Sequence, residues 1–162
     1  MKIIYVHHAL RDTGNPPSQD DNIKPLGRQD AEIVSKLLQN ARERGLNIKA
    51  IYTSDYYRCA ETSRIINQII EVPIYKEPRL NEFDSKNESW VNLQTRVRNA
   101  IFDIVCNYAD TDAVICVTSG VNVVSFLQLA FGLQVSEDAP YIGVPSCSPL
   151  FFEITKENFN RE

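Results

Sequence analysis

The chain has 162 residues, a formal net charge of -4 and 43% hydrophobic residues; one domain spanning 1–162 is expected, with a core covering roughly two thirds of the unfolded surface. The acidic balance argues against a dedicated nucleic-acid or anionic-membrane surface, which shows as a basic excess. No apolar run approaches the roughly 20 residues of a membrane span, and the N-terminus lacks the charged-then-apolar pattern of a signal peptide, so a cytoplasmic protein is expected.

The first predicted element is a short buried strand over Lys2-Ile3-Ile4-Tyr5-Val6, followed by His7-His8-Ala9-Leu10-Arg11. Both histidines of the chain lie in that cluster, so any imidazole chemistry must use this dipeptide. Residues 12–27, rich in Asp, Asn, Gly, Pro and Ser, read as a long loop of the kind that carries function. From Arg28 to Arg44 a helix is expected, with Ala31, Val34, Leu38 and Ala41 at helical spacing, joined by Ile33 and Leu37, and Gly45 as its stop. Ile48 to Tyr52 reads as a second strand. Ser54 is the candidate N-cap of a helix from Asp55 to about Ile70, closed by Pro73.

A short strand over Pro73 to Lys76 precedes a loop, Pro78 to Asp84. Next, Trp90, Leu93, Val97, Ala100, Ile101, Ile104, Val105 and Tyr108 define one face of a long amphipathic helix. The unbroken apolar run Ala113 to Thr118 suits a central parallel strand, and Ser119-Gly120 break it before a helix over Val121 to Leu133. Turns at Pro140, Pro145 and Pro149 lead to a last strand, Leu150 to Thr155, and a polar tail. Strands alternating with helices predict a three-layer α/β/α sandwich on a mostly parallel sheet. Sites in such sheets form beyond the carboxyl ends of the strands, where His8, Ser54, Glu82 and Ser119 should gather.

Several motifs are absent. Six glycines are present, but none forms a phosphate-binding G-x-x-x-x-G-K-[ST] loop or a dinucleotide G-x-G-x-x-G turn. Cys59, Cys106, Cys116 and Cys147 form no C-x-x-C pair, lack zinc spacing and fit reduced, mostly buried thiols. Cys59 meets Arg64 one residue too early for a cysteine-phosphatase loop. Asp110-Thr111-Asp112 precedes its strand and so sits at the wrong edge of the sheet for catalysis.

The pattern that remains is spread over most of the chain: a strand ending in histidine, Pro25-Leu26-Gly27-Arg28-Gln29-Asp30-Ala31, Ile51-Tyr52-Thr53-Ser54-Asp55-Tyr56-Tyr57-Arg58-Cys59-Ala60-Glu61-Thr62, Arg79-Leu80-Asn81-Glu82-Phe83, and Val117-Thr118-Ser119-Gly120. In order and spacing it resembles the histidine phosphatase superfamily, the phosphoglycerate-mutase-like fold, from about residue 2 to 155. The resemblance implies that His8 attacks phosphorus and carries the phosphoryl group, that Arg58 in the first turn of its helix grips phosphate oxygens, and that Glu82 protonates the leaving oxygen. For Arg58 the alternative is an ion pair with Glu61 or a neighbour. No metal or other cofactor is implied. The expected partner is a small phosphorylated substrate or phosphate ion, with a phosphoprotein as a further possibility.

The chain departs from the family pattern at two positions. Where members carry Arg-His-Gly it reads His7-His8-Ala9, and where they carry a second histidine it has Ser119. His7 and Arg11 are candidate replacements for the missing arginine, and Ser119 with the Gly120 N–H are candidate phosphate donors. Because successive strand residues point to opposite faces, His7 and His8 share a site only if the strand ends there. Two functions follow as expectations: a phosphatase working through a phosphohistidine on His8, or an impaired relative that binds a phosphorylated ligand or protein partner without turnover.

Overall fold

The computed structural model describes residues 1–12, 21–132 and 143–155. Residues 13–20 of the predicted loop, the end of the predicted helix at Leu133, the turn at Pro140 and the polar tail 156–162 lie outside them. The elements follow the expected alternation: β1 (Lys2–His7), α1 (Pro25–Glu43), β2 (Asn47–Thr53), α2 (Tyr57–Ile70), β3 (Ile74–Lys76), a 3-10 turn (Pro78–Leu80), α3 (Trp90–Cys106), β4 (Asp112–Thr118), α4 (Gly120–Ala130) and β5 (Pro149–Glu153). The strands form one sheet in the order β3-β2-β4-β1-β5, parallel except for β5.

Alternation along β1 builds the two cores. Ile3 and Tyr5 pack with Leu93, Val97 and Ile101 of α3 and Phe126 of α4. Ile4 and Val6 face the other way, toward Ala31, Val34 and Leu38 of α1 and Ile65, Ile66 and Ile70 of α2. β4, buried at every position, is the central parallel strand that its apolar run predicted. The mostly parallel α/β/α sandwich is therefore the observed fold. No helix among the described residues is long and apolar enough to cross a membrane.

Two local expectations are corrected. Ile33 and Leu37 do not join the buried stripe of α1: they are 56% and 53% exposed, because Ala31, Val34, Ser35 and Leu38 already face α2. Ser54 does not cap α2. Its Oγ accepts the N–H of Tyr56 at 3.3 Å, closing a short turn, and the helix begins later with Tyr56 in the N-cap position. Gly45 does end α1, just beyond the C-cap, with φ of 98°.

This topology decides where a site forms. After β1 the chain crosses to α1 on one face of the sheet, whereas after the neighbouring β4 it crosses to α4 on the other. The two connections diverge, leaving a crevice above the carboxyl ends of β1 and β4. His7 and Thr118, paired in register, mark its floor.

Candidate active site at the ends of β1 and β4

A cavity of about 280 Å³ opens at this crevice, and His7, His8, Arg11, Lys24, Glu82 and Gly120 are on its wall, with Ser146 and the apolar Leu10 and Val121. His7 is the last residue of β1, and the His8 N–H still donates to the Thr118 carbonyl at 2.9 Å. Beyond that bond the strand ends and both rings turn into one pocket. Their centroids lie 4.5 Å apart with the planes at 72°.

The protonation pattern of each ring follows from its partners. Nδ1 of His8 lies 2.8 Å from the Ala9 carbonyl, which can only accept, so Nδ1 carries the proton. Nε2 of His8 then holds a lone pair, and it accepts the Nε–H of Arg58 at 3.1 Å. Burial, aided by the neighbouring His7, pushes the His8 pKa down to about 3, so the ring is neutral through the physiological range. Nδ1 of His7 likewise donates, at 2.7 Å, to the Val144 carbonyl. Its pKa is also lowered, chiefly by burial.

Arg58 is 1% exposed, in the first turn of α2. Its Nη2 pairs with Glu82 and its guanidinium lies 4.7 Å from the centre of the Tyr56 ring. The alternative pairing with Glu61 does not occur, since Glu61 pairs with Arg28. Arg58 is absent from the cavity wall and lies behind His8 and Glu82, both of which line it.

Glu82 owes its position to polar contacts across the sheet edge. Thr118 Oγ1 donates to the Leu80 carbonyl at 2.6 Å, and Asn122 Nδ2 reaches the carbonyls of Leu80 and Asn81 at 2.7 and 2.8 Å. From the other side Arg96, held by Glu88, donates to the carbonyls of Arg79 at 2.6 Å and Glu82 at 3.3 Å. The segment that presents Glu82 is thus tied to α3, β4 and α4.

Arg11 lines the cavity and pairs with Asp21 at 3.3 Å, so its charge is shared with a buried carboxylate. Ser119 is the N-cap of α4, 2% exposed, with an Oγ that has no hydrogen-bond partner among the described residues and is not on the cavity wall. Gly120 is there for a steric reason: a Cβ would meet Cε1 of His7 at 3.2 Å. Gly27, in the first turn of α1, is required more strictly, because a Cβ would meet the Leu10 carbonyl oxygen at 2.6 Å.

Sequence reasoning missed Lys24 and Ser146. Lys24 had a signal: it occupies the N-cap of α1, directly before Pro25, where a residue with a capping oxygen is usual, and its side chain makes no cap. Ser146 had none, since its approach depends on the segment that brings the Val144 carbonyl to His7. Among the described residues no group of three or more His, Cys, Asp or Glu is arranged to hold a metal ion.

Comparison with known proteins agrees with this fold. The sequence model of the Histidine phosphatase superfamily (branch 1) matches residues 16–87. The fold is similar to that of Bacillus stearothermophilus YhfR, with 21% identity, a TM-score of 0.77 and coverage of 95% of this chain and 91% of that one. It is also similar to a mycobacterial glucosyl-3-phosphoglycerate phosphatase solved with VO3, with 17% identity, a TM-score of 0.74 and 93% and 90% coverage. A third likeness is to the protein histidine phosphatase SixA complexed with tungstate, with 9% identity, a TM-score of 0.74 and 98% and 91% coverage. No curated protein matches at the level of sequence. The superfamily model thus covers the segment from residue 16 to residue 87, and the likeness to the solved structures is one of fold over nearly the whole chain.

Proposed function

We propose that the protein hydrolyses a phosphomonoester, or a protein phosphohistidine, through a phosphohistidine intermediate on His8. The observation that carries this reading is the state of the His8 ring: Nδ1–H is fixed on the Ala9 carbonyl and the Nε2 lone pair is directed at Arg58 beside the cavity. A neutral imidazole held in one tautomer is a competent nucleophile without a base to deprotonate it. Phosphate oxygens entering above His8 compete for the guanidinium of Arg58, freeing Nε2 for attack. A P–N bond forms as the ester P–O bond breaks, and Glu82, on the cavity wall, gives a proton to the leaving oxygen. Water then attacks phosphorus and returns a proton to Glu82, the P–N bond breaks with its electron pair going back to His8 Nε2, and phosphate leaves.

Arg11, Lys24, His7 and the N-terminal end of α4 at Gly120 complete the pocket's wall. An acid at Glu82 favours small phosphoesters, whose alkoxide needs protonation, over phosphohistidine. The test is a panel of phosphoesters assayed with the wild type and His8→Ala: turnover by the wild type alone supports the reading, and turnover unchanged in His8→Ala contradicts it.

One observation favours the second reading, binding of a phosphorylated ligand without turnover. In the free protein Arg58 is committed to both Glu82 and His8, and Ser119 offers no donor to the cavity. Each transition-state donor lost costs about 2.7–4 kcal/mol, a factor of hundreds in rate. Saturable phosphate binding with no turnover of any ester would establish it.

A further inference from the structure

His7 stands where an arginine would have carried only donors, and it faces the cavity in a particular way. Its Nδ1–H is committed to the Val144 carbonyl, with the Pro145 carbonyl beside the ring. A neutral ring with its proton on Nδ1 has an acceptor, not a donor, at Nε2. That nitrogen makes no hydrogen bond to any described residue; the Cε1 edge between the two ring nitrogens faces Gly120, where a Cβ would meet Cε1 at 3.2 Å and each nitrogen at 3.5 Å, and His7 lines the cavity.

We propose that His7 Nε2 selects the protonated form of the phosphoryl group, accepting a hydrogen bond from a P–O–H, so that the preferred ligand is a phosphomonoester monoanion. This deepens the phosphatase reading above and rests on the same cavity. A fully ionised phosphoryl group has only lone pairs to direct at Nε2, and two acceptors facing each other repel. A singly protonated one supplies the missing hydrogen. Because an ester's second pKa is about 6, the pocket takes the form that predominates below that pH.

The charged groups around His7 are consistent with this role. From α2 comes Arg58, from the end of β1 His8 and Arg11, from the start of α1 Lys24, and from the segment after the 3-10 turn Glu82. Three cations attract a phosphoryl anion, yet two are already paired with carboxylates, Arg58 with Glu82 and Arg11 with Asp21. A monoanion therefore suits the balance of charge better than a dianion. Burial and the nearby Arg58 guanidinium both oppose a second proton on His7, which keeps Nε2 an acceptor.

Inorganic phosphate and sulfate separate this role from simple anion attraction. At pH 8 both are tetrahedral dianions, but only phosphate carries an O–H. Calorimetric titration of the full chain should show phosphate binding about tenfold or more tighter than sulfate, as expected for a hydrogen bond to a charged group that is gained in one case and replaced by repulsion in the other. Equal affinities, tighter sulfate binding or no phosphate binding would overturn the proposal. His7→Arg and His7→Phe both remove the acceptor, and in whichever folds the preference should vanish. A preference that survives in a folded variant assigns the acceptor elsewhere and overturns it too. The titration needs no turnover: discrimination in an inactive protein would retire the phosphatase reading alone, and turnover without discrimination would retire this inference alone.

Discussion

Nε of Arg58 donates to Nε2 of His8 at 3.1 Å, while Nη2 of the same guanidinium pairs with Glu82. One buried side chain thus connects the proposed nucleophile to the proposed acid. It also shields the reacting lone pair until an anion competes for the guanidinium. Arg58→Ala should weaken phosphate binding about tenfold or more and lower kcat/KM by about two orders of magnitude, because one planar, bidentate donor is lost. Arg58→Lys should recover little, since a point charge cannot serve His8 and Glu82 together. Steady-state kinetics and phosphate titration of the two variants check this.

The pH dependence of stability follows from the two histidines. Both are lowered in the folded state, His8 to about 3, against 6.5 for an ordinary imidazole. Between those values the unfolded chain binds a proton that folded His8 refuses, so acid favours unfolding. Stability from these groups is complete above about pH 6.5 and falls as the pH drops toward 3, by on the order of 1–3 kcal/mol at pH 4. Urea unfolding at pH 7 and pH 4 should show that loss, and His8→Gln should reduce it. A wild type equally stable at both pH values, with no other group compensating in His8→Gln, would contradict the burial of a neutral ring.

Asn122 and Thr118 touch no substrate in this account, yet they hold the Leu80-Asn81 backbone that presents Glu82. Asn122→Ala should lower kcat by about tenfold with KM changed less than twofold, the signature of a displaced acid rather than a lost binding contact. A matching rise in KM would instead show that the turn shapes the binding wall.

Gly27→Ala inverts the usual helix rule. Alanine is normally favoured over glycine inside a helix by about 1 kcal/mol, but here its Cβ would sit 2.6 Å from the Leu10 carbonyl oxygen and 2.8 Å from the Leu10 nitrogen. Backbone cannot rotate away, so α1 must shift from the loop that carries Leu10 and Arg11. The expected cost is about 1–3 kcal/mol, read by thermal or urea unfolding, with phosphate affinity reduced alongside.

Much of this arrangement was legible in the chain. The four unbroken apolar residues of β1 and the buried run of β4 announced parallel strands, because only a sheet covered on both faces needs such runs. Once those strands were set, the arrival of His8 and Glu82 at one edge followed from topology, whereas Ser54 and Ser119, expected beside them, are not on the cavity wall. Side-chain partnership was not legible. Nothing in the spacing says that Arg58 pairs with Glu82 instead of Glu61, or that Arg11 meets Asp21, since these depend on rotamers chosen by packing. Ile33 and Leu37 misled for a related reason: a helical stripe says which residues could face a core, and α2 offered room for only one line of them. The carbonyl that fixes the His7 tautomer belongs to a residue 137 positions away.

The most direct measurement is the trapping of a phosphoenzyme. The full chain is mixed with a phosphoester, quenched at alkaline pH where a phosphohistidine survives, and mapped by mass spectrometry. The account predicts phosphorylation on His8, absent in His8→Ala and lost on acid treatment. Phosphate found on His7 or on a hydroxyl, or turnover with no phosphorylated residue at any quench time, would contradict it.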